Sequence, residues 1–138
     1  MNNTAPAPLV VAARVLLALM FVMAGFSKLT GLEGTAGYIA SKGLPLPQLV
    51  AALTIVVELG GGLALMAGLY TRQVVVALAA FSLLAGVIFH NFWAVPQAEQ
   101  MMQQINFMKN LAIAGGMLVV AAFGPGRLSL DARRLASA

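Results

Sequence analysis

The chain has 138 residues, of which 61% are apolar and only 9% charged, and its mean hydropathy is +0.93. Soluble domains are about 45–50% apolar and about 25% charged, so a water-soluble enzyme is excluded, while the apolar residues suffice for four membrane spans of about 20 residues each. The net charge of +4 comes from eight Lys and Arg scattered among apolar runs, which speaks against nucleic-acid binding and for charges that orient the chain in a lipid bilayer.

The length allows one domain, residues 1–138. The first apolar segment spans about residues 9–28. From Val15 to Ser27 it would reach only about 20 Å, too little for a core of about 30 Å. Starting at Leu9 restores the length and leaves Arg14 one turn inside, where it is expected to snorkel outward as an orientation anchor. No basic residue precedes the apolar start, so the segment reads as a retained helix rather than a cleaved signal. The first loop holds Gly31, Gly34, Gly37, Tyr38 and the run Lys42-Gly43-Leu44-Pro45-Leu46-Pro47. It reads as a short interfacial helix followed by an extended turn.

The second helix is expected at about 47–69, with Glu58 near its middle. Thr71-Arg72-Gln73 reads as a tight turn, and the third helix follows at about 74–93. Ala94 to Gln104 is polar, holds Pro96 and reads as a loop before a fourth helix at about 105–123. Asn2 to Pro8 and the tail, 124–138, are expected to be frayed or surface-bound. The fold class is all-α: an integral membrane four-helix bundle, up-down-up-down.

With four spans, both termini and the turn between helices two and three share one side. That side holds Arg14, Arg72, Arg127, Arg133 and Arg134, and the other holds Lys28, Lys42 and Lys109. The positive-inside rule then puts both termini, and the tail, in the cytoplasm.

Polar residues converge on the outward side. Lys28 ends helix one, His90 and Asn91 end helix three, and Asn106, Lys109 and Asn110 open helix four. Glu58 lies roughly 13 Å below that boundary at helical rise, within expected reach of Lys109. Helical spacing groups Arg14, Ala18, Phe21, Gly25 and Lys28 on helix one. It likewise groups Thr54, Glu58, Gly61 and Gly62 on helix two, and Ser82, Gly86 and His90 on helix three. On helix four it groups Asn106, Lys109, Asn110, Ile113 and Gly116. Small residues beside polar ones let helices approach and turn polar groups inward, so one outward-opening pocket is expected, lined by Lys28, Glu58, His90, Asn106 and Lys109. Gly25, Gly61, Gly62, Arg14 and Arg72 read as packing or orientation residues.

A charge at a helix centre costs about 2.5–3.5 kcal/mol on insertion scales, so Glu58 must be paired, neutral or wet. Two readings stand: a buried ion pair with Lys109 or Lys28 that fixes helix register, or a functional site. One His and no Cys make no closed metal site. The absence of cysteine also removes disulfides and iron–sulfur ligation by this chain. No nucleotide loop, nucleophile elbow or dinucleotide fingerprint is present, and no catalytic residue can be named. Any redox role must use a bound ligand, such as a quinone, or a partner.

The segment Phe21-Val-Met-Ala-Gly-Phe-Ser-Lys28-Leu29, then Tyr38 and Gly43-Leu-Pro45, resembles the DoxX family of small four-helix membrane proteins. The resemblance continues through Glu58-Leu-Gly-Gly, Gly68-Leu-Tyr-Thr-Arg72, His90, Lys109-Asn-Leu, Gly115-Gly116 and Gly126-Arg-Leu-Ser-Leu-Asp131, covering nearly the whole chain. It implies a bacterial inner-membrane protein whose family polar positions fall on Lys28, Glu58, His90 and Lys109. Some relatives are linked to thiosulfate:quinone oxidoreductase or to oxidoreductase complexes handling oxidative stress. Two functions follow as expectations. One is a subunit or accessory of a membrane oxidoreductase that binds a quinone-like head group. The other is a non-catalytic scaffold that stabilises a partner, its polar cluster purely structural. Glycine-rich faces also allow homo-oligomers.

Overall fold

The computed structural model describes residues 6–137, and every regular element among them is helical. The helices are α1 (Ala7–Thr30), α2 (Leu32–Ser41), α3 (Pro47–Ala67), α4 (Thr71–Phe89), α5 (Gln97–Phe123) and α6 (Leu130–Ala136). A single 3-10 turn, Phe92–Ala94, links α4 to α5. Helices α1, α3, α4 and α5 are each long and apolar enough to cross a membrane, and they form the expected up-down-up-down bundle. The expected fraying of Asn2 to Pro8 lies outside the described residues up to residue 5.

The core sits where the α1–α3 pair meets the α4–α5 pair. Ala18, Phe21, Leu65, Leu78, Ala79, Ala114 and Met117 are buried there, while Leu16, Met23, Phe26, Val56, Leu84 and Leu118 face outward. In lipid, apolar burial does not drive helices together, so close backbone packing must. Glycine supplies it between α1 and α3. A methyl group on Gly25 would lie 2.7 Å from the Leu59 nitrogen, and one on Gly62 would lie 2.9 Å from Val22 Cγ2. Gly61 instead faces α4, where a methyl would meet Leu78 Cδ2 at 3.0 Å.

One end of the bundle, called here the terminal end, gathers the start of α1, the α3–α4 turn and α6. The opposite, Lys28 end gathers α2, the last turn of α4 and the first turns of α5. Pro47 opens α3 from its first turn, where its missing N–H costs nothing. The α2 helix packs Ala36 and Ile39 against Ala51 of α3 and Phe89 of α4, closing over the Lys28 end.

Several boundaries differ from the sequence reading. The fourth span starts at Gln97, not near 105, because Pro96 caps a helix whose first turns are polar yet still helix-forming. Hydropathy marks where a helix enters lipid, not where it begins. The third span starts at Thr71, not 74. The turn before it is made by Gly68, at φ 71°, and Tyr70, at φ 47°, with the Gly68 and Leu69 N–H groups donating to Leu65 and Ala64 oxygens.

The tail is folded rather than frayed. Ser129 is buried, its Oγ accepts from the Ala132 N–H that opens α6, and it donates to the Gly126 oxygen at 2.8 Å. Asp131 accepts from the Tyr70 and Thr71 N–H groups, both at 2.8 Å. It thereby caps α4 from 60 residues away. Arg14 does not snorkel. It is 4% exposed, with Nη1 donating to the Pro125 oxygen at 2.6 Å and Nη2 to the Leu128 oxygen at 2.9 Å. The tail's carbonyls, folded over the start of α1, give this arginine partners more local than the interface.

Candidate functional site

A cavity of about 300 Å³ opens inside the bundle at the Lys28 end. Each spanning helix contributes to it, and α2 roofs it with Tyr38 and Ile39. Its wall carries the ion pair between Lys28, in the last turn of α1, and Glu58, in α3. Lys28 Nζ lies 2.8 Å from Glu58 Oε2 and donates to Oε1 at 3.1 Å. Glu58 is buried, and its Oε2, despite that short distance, receives no well-aligned hydrogen bond. The Lys28 ammonium thus sits against both carboxylate oxygens.

Local backbone geometry delivers Glu58 there. Val56–Gly60 forms a single wide π turn within α3, a feature that concentrates at functional sites. Gly60 closes the turn and Gly61 and Gly62 follow it directly, and the small size of Gly62 keeps the helix in close contact with α1.

The upper wall carries His90 and Asn110, and Thr54 and Ser82 add hydroxyl groups lower down. His90 ends α4, and its Nδ1 meets Gln103 Oε1 of α5 at 2.9 Å. With that oxygen as acceptor, Nδ1 is the donor. Tyr38 stacks on Phe89, ring centroids 5.7 Å apart, and donates to the Phe89 carbonyl at 3.4 Å. Phe21, Phe81, Phe89 and Ile113 make the remaining surface apolar.

Part of the cavity wall is the seam between α1 and α5. Helices α1 and α5 touch at Leu17 and Gly116, where a methyl on the glycine would lie 3.1 Å from Leu17 Cδ2. Toward the Lys28 end, Met20 and Ala24 of α1 and Asn110 and Ile113 of α5 line the cavity instead. Met20, more than half exposed, thus both lines the cavity and presents surface outside it at this seam.

Of the five residues singled out for the pocket, the structure brings Lys28, Glu58 and His90 together and leaves Asn106 and Lys109 outside. Lys109 is exposed, with only a marginal 3.5 Å contact from Nζ to Asn106 Oδ1. It does not reach Glu58, because the inward face of α5 runs through Asn110, Ala114 and Met117, and residue 109 lies about 100° away from 110 around the helix. Asn106 spends its backbone oxygen on Asn110 Nδ2 at 3.0 Å. Gln103 went unread because it fell in the expected loop. The available signal was its spacing with Asn106 and Asn110, which extends one polar helical face by a turn. Of the packing residues, Gly25, Gly61 and Gly62 lie at helix contacts, whereas Arg72 is exposed at the terminal end. Among the described residues no group of three His, Asp or Glu is arranged to hold a metal ion.

Comparison with known proteins agrees with this architecture. The DoxX family profile matches residues 9–91, which include Lys28, Glu58 and His90. The chain is 38% identical to the inner membrane protein YphA of Escherichia coli over 91% of its own length and 89% of that protein. It is 39% identical to the inner membrane protein YqjF of the same organism, covering 88% of each. No solved structure matches it significantly. With the family profile matched over more than half of the chain, relatives aligned over nearly their whole length and four spanning helices, this chain belongs to the DoxX family and is a multi-pass inner membrane protein.

Proposed function

We propose that this protein is a subunit or accessory of a membrane oxidoreductase system and that its cavity binds a quinone-like head group. The observation that supports this most is the Lys28–Glu58 pair in the wall of a largely apolar cavity inside the bundle. A volume of about 300 Å³ is at the small end of ligand sites. It suits a single ring, with an isoprenoid tail leaving past Met20. The donor set fits as well. Lys28 has N–H groups beyond the one given to Glu58, matching a carbonyl oxygen. The His90 ring and the Glu58 carboxylate, both lining the cavity, would exchange the protons that accompany electron transfer. A quinone would supply the two-electron chemistry that this chain's own side chains lack.

Gentle extraction from the native membrane followed by native mass spectrometry tests this reading. The expected result is a reproducible adduct of quinone mass that is absent from Glu58→Gln. A chain free of small molecules but bound stoichiometrically to another protein would sink the ligand reading. It would favour the second one, a scaffold in which the ion pair only locks α1 to α3.

We also propose that both termini face the cytoplasm, with the cavity opening to the other side. Support comes from the exposed Arg72, Arg127, Arg133 and Arg134 at the terminal end, set against Lys28, Lys42 and Lys109 at the other. A cysteine introduced at exposed Leu128 is expected to resist a membrane-impermeant maleimide added to intact cells and to react after lysis. Labelling in intact cells would reverse the orientation.

A further inference from the structure

The terminal end carries a second concavity, a groove of about 820 Å³ between the α3–α4 turn, the end of α5 and α6. Its walls hold three guanidinium groups, Arg72, Arg127 and Arg134, against one carboxylate, Asp131. That carboxylate is already occupied, since each of its oxygens accepts a backbone N–H, from Tyr70 and Thr71. Arg134 is held in place over the Tyr70 ring, 4.6 Å from its centroid. Arg72 and Arg127 are exposed, and among the described residues neither is within ion-pair distance of an acid. The groove therefore keeps a surplus of positive charge with free, fork-shaped donors.

Its rim is of opposite character. Phe123, the last residue of α5, is 86% exposed, and Leu135 of α6 is 81% exposed. Both line the groove. Because α5 is a membrane span, its final residue marks the level where acyl chains give way to head groups. Guanidinium groups match phosphate oxygens by paired hydrogen bonds, and exposed apolar side chains at that depth match acyl chains. A free anion has no use for such a rim.

We propose that this groove is a binding site for an anionic phospholipid, with Arg72 and Arg127 holding the phosphodiester and Phe123 and Leu135 contacting the acyl chains. The site is separate from the Lys28 cavity and stands independently of the ligand proposed there. It also differs from the general attraction of basic loops to anionic leaflets, since it requires one lipid at one place.

The test is a titration of the full-length, delipidated protein in neutral detergent with phosphatidylglycerol or phosphatidylcholine, read by native mass spectrometry. A saturating one-to-one adduct with phosphatidylglycerol is expected, with phosphatidylcholine much weaker. Arg72→Gln and Arg127→Gln should each weaken the adduct about five-fold, the worth of one basic residue near an anionic surface. Arg133→Gln removes the same charge from the same end of the bundle outside the groove, and should leave the adduct unchanged. An equal loss in Arg133→Gln would mean diffuse attraction and overturn the site. Equal binding of the two lipids would overturn it as well, and that comparison needs no variant. Displacement of the lipid by inorganic phosphate at matching concentration would reassign the groove to a free anion.

Discussion

Glu58→Gln is expected to destabilise the bundle and abolish the ligand adduct, and adding Lys28→Met should restore the stability without restoring the ligand. Removing one member of a buried ion pair costs about 3–5 kcal/mol when both charges are fully enclosed. Here Glu58 is buried while the Lys28 side chain is 31% exposed. The stranded ammonium can therefore recover some solvation, and a loss of about 2 kcal/mol is the better expectation. Replacing both partners leaves no uncompensated charge, so most of that loss should return, as it does when buried pairs are exchanged for apolar residues of similar volume. Stability alone would not separate the two functional readings, because a purely structural ion pair gives the same cycle. Ligand retention does. A scaffold shows no adduct in wild type or in any variant. A binding site shows it in wild type, loses it in Glu58→Gln, and still lacks it in the stable double variant. A Glu58→Gln protein with unchanged melting temperature and an intact adduct would deny the pair either role.

The contrast between Lys28 and Lys109 shows how far the sequence could be read. Periodicity on α1 identified its buried face, since Arg14, Ala18, Phe21 and Gly25 are the buried residues of that helix. Four consecutive inward positions leave little doubt about which side faces the neighbours. On α5 the polar residues 106, 109 and 110 span more than one face, and only packing decides which turns inward. Asn110 does, so the candidate partner of Glu58 had to come from α1. The π turn at Val56–Gly60 has no sequence signature beyond the glycines that follow it.

What escaped the sequence most fully is the terminal end, because its contacts join segments far apart in the chain. The motif Gly68-Leu-Tyr-Thr-Arg72 and the motif Gly126-Arg-Leu-Ser-Leu-Asp131 are two halves of one interlock. The Asp131 N–H donates to the Gly68 oxygen at 2.9 Å, and the Asp131 carboxylate caps the helix that begins three residues after Gly68. Gly68 must be glycine twice over: its φ is 71°, and a methyl there would lie 2.5 Å from Ser129 Cβ and 2.8 Å from Arg14 Nη1. A composition-based reading sees only a polar tail after the last span.

Arg14→Met is therefore expected to free the tail while leaving the four spans in place. The side chain keeps its length and apolar stem, but the Pro125 and Leu128 carbonyls lose their charged donor. Hydrogen bonds to charged groups contribute about 1.5–3 kcal/mol each. Because the released carbonyls can turn to water at the membrane surface, the net cost should be nearer 2 kcal/mol, raising the undocked fraction about 30-fold. Trypsin cleavage after the exposed Arg133 and Arg134 reads this directly, since cleavage follows the open population when opening is fast. Acid should release the same segment by a different route. Desolvation pushes the Asp131 carboxyl upward, but the N–H groups of Thr71 and Tyr70 and the nearby Arg134 outweigh it and hold the group below its ordinary value of 3.8. A depressed folded-state value means that the stabilisation is complete above 3.8 and is lost as pH falls through the lower, folded value. Exchange of the Tyr70 and Thr71 amides should thus lose protection only in strong acid, and Asp131→Asn should remove that step. Arg14→Lys separates charge from geometry. A single ammonium keeps the charge but cannot span the two carbonyls as the guanidinium fork does, so its cleavage rate should fall between wild type and Arg14→Met. A rate equal to wild type would show that charge alone holds the tail.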